Sequence, residues 1–114
     1  MGNSLVRPET RSAPNTPAPD YADSLWMIRD AVRGREGLIY GKLHDNGESC
    51  AIGAFFDANP KLALQTKIID EVATYNDSIP DTVSWKTRKR KVLEWLNWKI
   101  AVLAGDKAKP PKSA

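Results

Sequence analysis

Apolar side chains recur every three to four residues over much of the chain, a spacing that predicts amphipathic helices. It predicts a first helix over residues 21–33, which Gly34 ends. A second amphipathic helix is predicted over residues 61–75, after the break at Asn59-Pro60. The last and longest helix is predicted over residues 84–104.

Shorter elements are predicted between the first two of these helices. A helix over residues 50–58 has Ser49 as its expected N-cap. Residues 38–43 are mostly apolar and the turn signal Asp45-Asn46-Gly47 follows, so residues 38–50 form either a small β-hairpin or an irregular loop. The fold class is therefore mainly α: a small helical domain of three longer helices and one short helix, with this hairpin as its only expected strands.

Proline and polar residues mark both ends of the chain. Residues 1–20 contain four prolines and few large apolar side chains, so we expect a flexible Pro-rich arm that either stays disordered or becomes ordered on a neighbouring subunit. The helical domain is predicted over residues 21–104, and a flexible basic tail over residues 105–114.

Charge is distributed unevenly along the 114 residues, although the net charge is only +3. Residues 20–80 hold ten acids and six bases, whereas residues 81–114 hold nine bases and three acids. Such asymmetry indicates a nucleic acid, an acidic surface or an acidic protein as the partner.

The composition excludes several classes of protein. A single cysteine and a single histidine allow neither an internal disulfide nor a four-ligand zinc site. No apolar run approaches the roughly 20 residues that span a bilayer, and the N-terminus lacks the pattern of a secretory signal. We expect a soluble protein of the cytoplasm, without a metal, a cofactor or an identifiable small-molecule substrate.

The strongest indication of a partner is a basic run at the start of the last helix. Five cations occupy its first two turns, where the helix dipole disfavours positive charge: Lys86, Arg88, Lys89, Arg90 and Lys91. Lys89 falls on the arc that faces the core, so this helix end either projects beyond the core or its lysine snorkels. The run predicts contact with phosphates or an acidic protein; the alternative is a solvated helix start balanced by the acids of residues 20–80.

Tryptophan is abundant for a chain of this length, with four residues. Trp95 and Trp98 form a second apolar stripe on the last helix, and Trp26 falls opposite the apolar face of the first. Because tryptophan is enriched at contact surfaces, Trp26, Trp95 and Trp98 are the candidate residues of a protein interface, and a homo-oligomer is one expected outcome.

Cys50 at the start of a helix supports a third hypothesis. A helix N-terminus lowers the pKa of a thiol, and His44 across the turn would be the base of a thiol hydrolase. The apolar neighbours of Cys50 favour instead a small buried core residue. We therefore assign no catalytic residue and predict that the protein is not an enzyme.

Two short motifs precede the closing amphipathic helix: Cys50-Ala51-Ile52-Gly53-Ala54 after a glycine turn, and the aromatic-Asn-Asp sequence Tyr75-Asn76-Asp77. In these motifs the chain resembles a family of small uncharacterised domains in bacterial and bacteriophage proteins. The resemblance covers about residues 22–103 and implies a compact helical domain, in which Cys50 and Asn76-Asp77 have packing and capping roles. Together with the charge pattern, it predicts a non-enzymatic phage or bacterial accessory protein, located in the cytoplasm or associated with a virion.

Overall fold

The computed structural model describes residues 18–45, 47–105, 107 and 109–112. These residues form four helices and one antiparallel hairpin, which confirms the predicted fold class. In chain order the elements are α1 (Tyr21–Arg33), β1 (His44–Asp45), β2 (Glu48–Ser49), α2 (Ala51–Ala58), α3 (Thr66–Ser78) and α4 (Trp85–Leu103). Most of the predicted N-terminal arm and part of the predicted tail lie outside the described residues.

The first helix begins and ends where the sequence predicts, and the last helix is one residue shorter at each end than predicted. The Asp20 side chain accepts a hydrogen bond from the backbone N–H of Asp23 at 2.8 Å, and Gly34 is the C-cap of α1. Ser84 caps α4 in the same way, accepting from the N–H of Thr87 at 3.1 Å. In the described part of the chain, no helix is long and apolar enough to cross a membrane.

The two middle helices begin later than predicted. Ser49 ends strand β2, and Cys50 is the N-cap of α2. Helix α3 begins at Thr66 rather than near residue 61, so the predicted start was wrong. Residues 62–65 belong to no helix, although Leu64 is buried and Leu62 half-buried.

The hairpin is shorter than the apolar stretch suggested. It pairs His44 with Ser49 and Asp45 with Glu48, and Gly47 has the positive φ of 83° that its turn requires. Leu38 forms no strand and belongs to the core instead. Its backbone N–H donates to the Trp85 carbonyl at 3.0 Å, so the loop before the hairpin lies against the start of α4.

All four helices contribute side chains to one core. Helix α1 packs most extensively on α4 and α2, and α3 contacts the other side of α4. The largest fully buried apolar side chains are Leu25, Ile28, Val32, Leu38, Ile52, Phe55, Ile68, Val72, Ile79, Val92 and Leu96. This arrangement leaves one surface groove on each side of α4.

Candidate binding surfaces on helix α4

The five cations of the basic run lie in different environments. Lys86 and Arg90 are exposed, Lys89 and Lys91 are half-buried, and Arg88 is only 2 % exposed. The run therefore does not form one cationic surface, because the helical period directs its members to different faces.

Arg88 corrects the predicted site, because its guanidinium is directed into the protein. It donates to the carbonyl oxygens of Ile79 at 2.9 Å and Pro80 at 2.8 Å, and also to that of Asn76. Burial lowers the pKa of Arg88 from its usual value. These carbonyls lie at the end of α3, so Arg88 caps that helix and is not available to a partner.

The aromatic-Asn-Asp motif completes the same junction. The buried Asn76 side chain donates to the Ile39 carbonyl at 3.0 Å, and the Asp77 carboxylate accepts from the Gly41 N–H at 2.9 Å. The helix was predicted to end at residue 75, but Asn76 and Asp77 are helical and α3 extends to Ser78. Their bonds fix the loop before the hairpin against α3, a structural role for both residues.

The remaining cations are partly gathered on the α1 side of α4. Lys86, Lys89 and Arg90 line a groove of about 400 Å³ together with Glu36, Leu93, Glu94 and Asn97, which we name the basic groove. The Lys89 ammonium donates to the Arg33 carbonyl at 3.2 Å, which agrees with a snorkelling lysine. Lys91 does not line this groove.

Helix α1 adds a cation that the sequence did not assign to the site. The Arg29 guanidinium donates to the Asn97 side chain at 3.2 Å and lies 4.1 Å from the centre of the Trp26 ring. Trp26 is 46 % exposed, as its place on the polar face predicted. The helical wheel placed Trp26 beside Arg29, but could not show that this face lies next to α4.

The basic groove also contains acids. Arg90 pairs with Glu94 at 3.1 Å, and Glu36 also lines the groove. Exposed pairs of this kind contribute little to the free energy of folding, so Arg90 can leave Glu94 and bind a phosphate instead.

The second groove lies between α3 and α4 and has a volume of about 520 Å³. We name it the aromatic groove, because Tyr75, Trp95 and Trp98 line it. Trp95 stacks on Tyr75 with ring centres 4.9 Å apart and is only 8 % exposed, so it belongs mainly to the core rather than to an open interface. Trp98 is partly buried at the edge of this groove.

One lysine connects the aromatic groove to helix α1. The Lys99 ammonium lies 3.7 Å from the Glu71 carboxylate and 5.5 Å from the centre of the Tyr21 ring. The Tyr21 hydroxyl donates to the same carboxylate of Glu71. Burial and this carboxylate raise the pKa of Tyr21, so the hydroxyl keeps its proton at neutral pH.

The Cys50 thiol and the His44 imidazole, which the hydrolase hypothesis pairs, lie in different surroundings. His44 lies 2.9 Å from Asp57, and both side chains are about half exposed. Cys50 is 7 % exposed, and burial raises the pKa of its thiol despite the backbone N–H groups of α2. A thiol that keeps its proton is a poor nucleophile, so this geometry favours the packing role.

Within the described residues, no group of three or more His, Cys, Asp or Glu side chains is placed to hold a metal ion. Comparison of the chain with protein-family models, with curated proteins and with solved structures finds no match. The resemblance to small phage domains stays a prediction, and the functional argument depends on the two grooves.

Proposed function

We propose that this chain is a non-enzymatic binding protein that contacts the phosphates of a single-stranded nucleic acid through the basic groove. The observation that carries the proposal is the placement of Lys86, Lys89 and Arg90 along one groove, with Arg29 at its edge. Lysine and arginine side chains at this spacing neutralise phosphates without reading sequence.

The exposed Trp26 favours a single strand over an acidic protein. Its ring carries Arg29 on one face at 4.1 Å, which gives an aromatic and cationic platform on which a base stacks. An acidic protein would use the cations of the basic groove and would leave this platform unused.

The proposal is tested by the binding of a labelled single-stranded oligonucleotide at two salt concentrations. We expect the affinity to fall with salt, and Lys86/Lys89/Arg90→Gln to abolish most of the binding. The matched control replaces three cations elsewhere with glutamine: Lys42, Lys61 and Lys67. An equal loss in both triple variants would show only the effect of net charge and would contradict a localised site.

Trp26→Ala separates the two kinds of partner. For a stacked strand we expect a loss of about 1–3 kcal/mol in binding free energy that changes little with salt. Binding that is unchanged in this variant, together with binding to an acidic peptide, would replace the nucleic acid by an acidic protein. No binding to either ligand at low salt would overturn the proposed function.

Self-association is a second candidate, and the end of α4 favours it. Val102 is 39 % exposed and Leu103 is 52 % exposed, next to the half-buried Trp98 on the same helix. Sedimentation of the wild type and of Val102→Lys/Leu103→Lys would show whether this apolar end joins two copies. In either form, the protein fits a small accessory role in a bacterial or phage-infected cell, in the cytoplasm or on a virion.

A further inference from the structure

The basic groove has a second exposed tryptophan at one of its ends. The Lys86 ammonium, which lines the groove, lies 5.8 Å from the centre of the Trp85 ring. The same ring packs against Gly37, the residue that follows Glu36 of the groove lining. Trp85 is 37 % exposed, so part of its side chain stays open to a ligand beside the groove.

The contact with Gly37 fixes the position of the Trp85 ring. A Cβ atom at Gly37 would overlap the ring, so the indole lies directly on the glycine backbone. The Trp85 carbonyl also accepts the hydrogen bond from the Leu38 N–H at 3.0 Å, which holds the same loop against the start of α4. A side chain that is already ordered loses little conformational entropy when a ligand binds.

The other end of the basic groove is next to Trp26. The Trp26 ring carries Arg29 at 4.1 Å, and Arg29 donates to Asn97 of the groove lining. Lys86 and Asn97 are the first and last residues of α4 in this lining, and the helix rises about 16 Å between them. The two exposed indoles therefore lie near opposite ends of the groove, each beside a cation.

This length fits a short single strand. Neighbouring nucleotides of a stacked strand rise about 3.4 Å each, so about 16 Å corresponds to about five steps, or six nucleotides. Proteins that bind single strands combine a cationic groove with aromatic side chains on which bases stack. An indole at each end of the groove would receive a base at each end of such a strand.

We propose that Trp85 is a second stacking residue, so that the basic groove holds about six nucleotides with one terminal base on Trp85 and the other on Trp26. This inference rests on the proposed function and adds to it a contact residue and a strand length. Because every base has a flat face, the two contacts favour unpaired bases without selecting a sequence.

Abasic oligonucleotides test the two contacts without altering the protein. Three single-stranded hexanucleotides of deoxyadenosine are compared: the intact strand, one that lacks the first base and one that lacks the last base. All three keep the phosphates that reach the cations. Each missing base should weaken binding to the wild type about 5- to 100-fold, because it removes one stacking contact.

Variants of the two tryptophans assign the ends of the strand. Trp85→Leu should weaken binding of the intact hexanucleotide about 5- to 100-fold and make binding insensitive to the loss of one terminal base only. Trp26→Ala should make binding insensitive to the loss of the opposite base. Together the two results give the direction of the strand along α4.

Two controls separate a lost contact from a damaged fold. Trp85→Phe keeps an aromatic ring on Gly37 and should recover most of the affinity that Trp85→Leu loses. Tyr40→Leu should leave binding unchanged, because the exposed Tyr40 ring lies beside Arg88 rather than at the basic groove. Circular dichroism checks that each variant keeps its helices.

The outcomes distinguish this inference from the proposed function. Trp85→Leu that stays sensitive to the loss of either terminal base would overturn the second stacking contact. The proposed function would stand in that case if Lys86/Lys89/Arg90→Gln still abolished binding. No binding of the intact strand to the wild type at low salt would overturn the proposed function and this inference with it.

Discussion

Arg88 and the cations beside it come from one basic run but have opposite environments. Arg88 is 2 % exposed and binds the carbonyls at the end of α3, whereas Lys86 and Arg90 lie at the basic groove on the surface. The number of cations in a sequence run therefore overestimates the positive charge that the protein surface presents to a partner. A guanidinium at one helical position completes the fold, while its neighbours are left for binding.

The largest expected effect comes from the buried member of the run. Arg88→Met leaves the carbonyls of Asn76, Ile79 and Pro80 without their donor, so we expect the free energy of unfolding to fall by roughly 3–5 kcal/mol. Urea denaturation followed by circular dichroism measures this loss. The control Arg90→Met removes an exposed i,i+4 pair and should cost at most about 0.5 kcal/mol. Similar losses in both variants would contradict the division between structural and surface cations.

The Asn76 side chain holds the other half of the junction that Arg88 caps. Asn76→Ala removes the donor to the Ile39 carbonyl from a buried side chain, and we expect a loss of roughly 1–3 kcal/mol in stability. Asn97→Ala is the matched control on the surface, where a change within about 0.5 kcal/mol is expected. An insensitive Asn76 would mean that the loop is held to α3 by Asp77 and apolar contacts alone.

Lys86→Glu should separate stability from binding. Lys86 lies in the first turn of α4, where an acid interacts favourably with the helix dipole, so we expect a gain of about 0.3–1 kcal/mol in stability. The same change should weaken oligonucleotide binding, because it reverses a charge in the basic groove. Lys67→Glu makes the same change in the first turn of α3 and should leave binding unaltered. Oligonucleotide affinity that is unaltered by Lys86→Glu would remove this residue from the site.

The smallest effect concerns a second buried ionisable group. Burial raises the pKa of the Cys50 thiol above its unfolded value, so the folded state favours the protonated form. The stabilisation is fully present below the unfolded pKa and is lost as pH rises through the folded pKa. We expect the wild type to lose stability on the alkaline side relative to Cys50→Ser, in denaturation at stepped pH values.

Thiol chemistry provides the complementary measurement on Cys50. The folded protein should react slowly with an alkylating reagent near neutral pH and rapidly in denaturant, because the thiol is 7 % exposed and protonated. Rapid alkylation of the native chain would return Cys50 to the list of candidate nucleophiles.

The helices that sequence reasoning located best are those with clear local signals. Asp20 and Gly34 bound α1, and Ser84 caps α4. The start of α3 was misplaced because Leu62 and Leu64 were counted with the apolar face of the helix, whereas they pack on the core from the non-helical segment before it. The Gln65 side chain makes no capping hydrogen bond, so no local signal marks this helix start.

In the candidate site, too, local signals in the sequence predict some features and tertiary contacts determine the others. The basic run and the exposed Trp26 could be found from charge and helical position, but the burial of Arg88 could not. The helical wheel placed Lys89 rather than Arg88 on the core-facing arc. Arg88 is directed inward by its hydrogen bonds to carbonyls at the end of α3, eight to twelve positions earlier in the chain. The spacing of residues within α4 alone cannot predict these contacts.

The packing of α1 on α4 has a consequence for the order of events in folding. About fifty residues separate the end of α1 at Arg33 from the start of α4 at Trp85. The apolar face of α1 packs on α2, which is near in sequence, and on α4, which is distant. The second of these contacts forms only at the entropic cost of closing this long segment. Neither helix is therefore fully protected from amide hydrogen exchange until the two have packed together. We expect amide hydrogens in the buried turns of both helices to exchange through the same global opening, with similar protection factors.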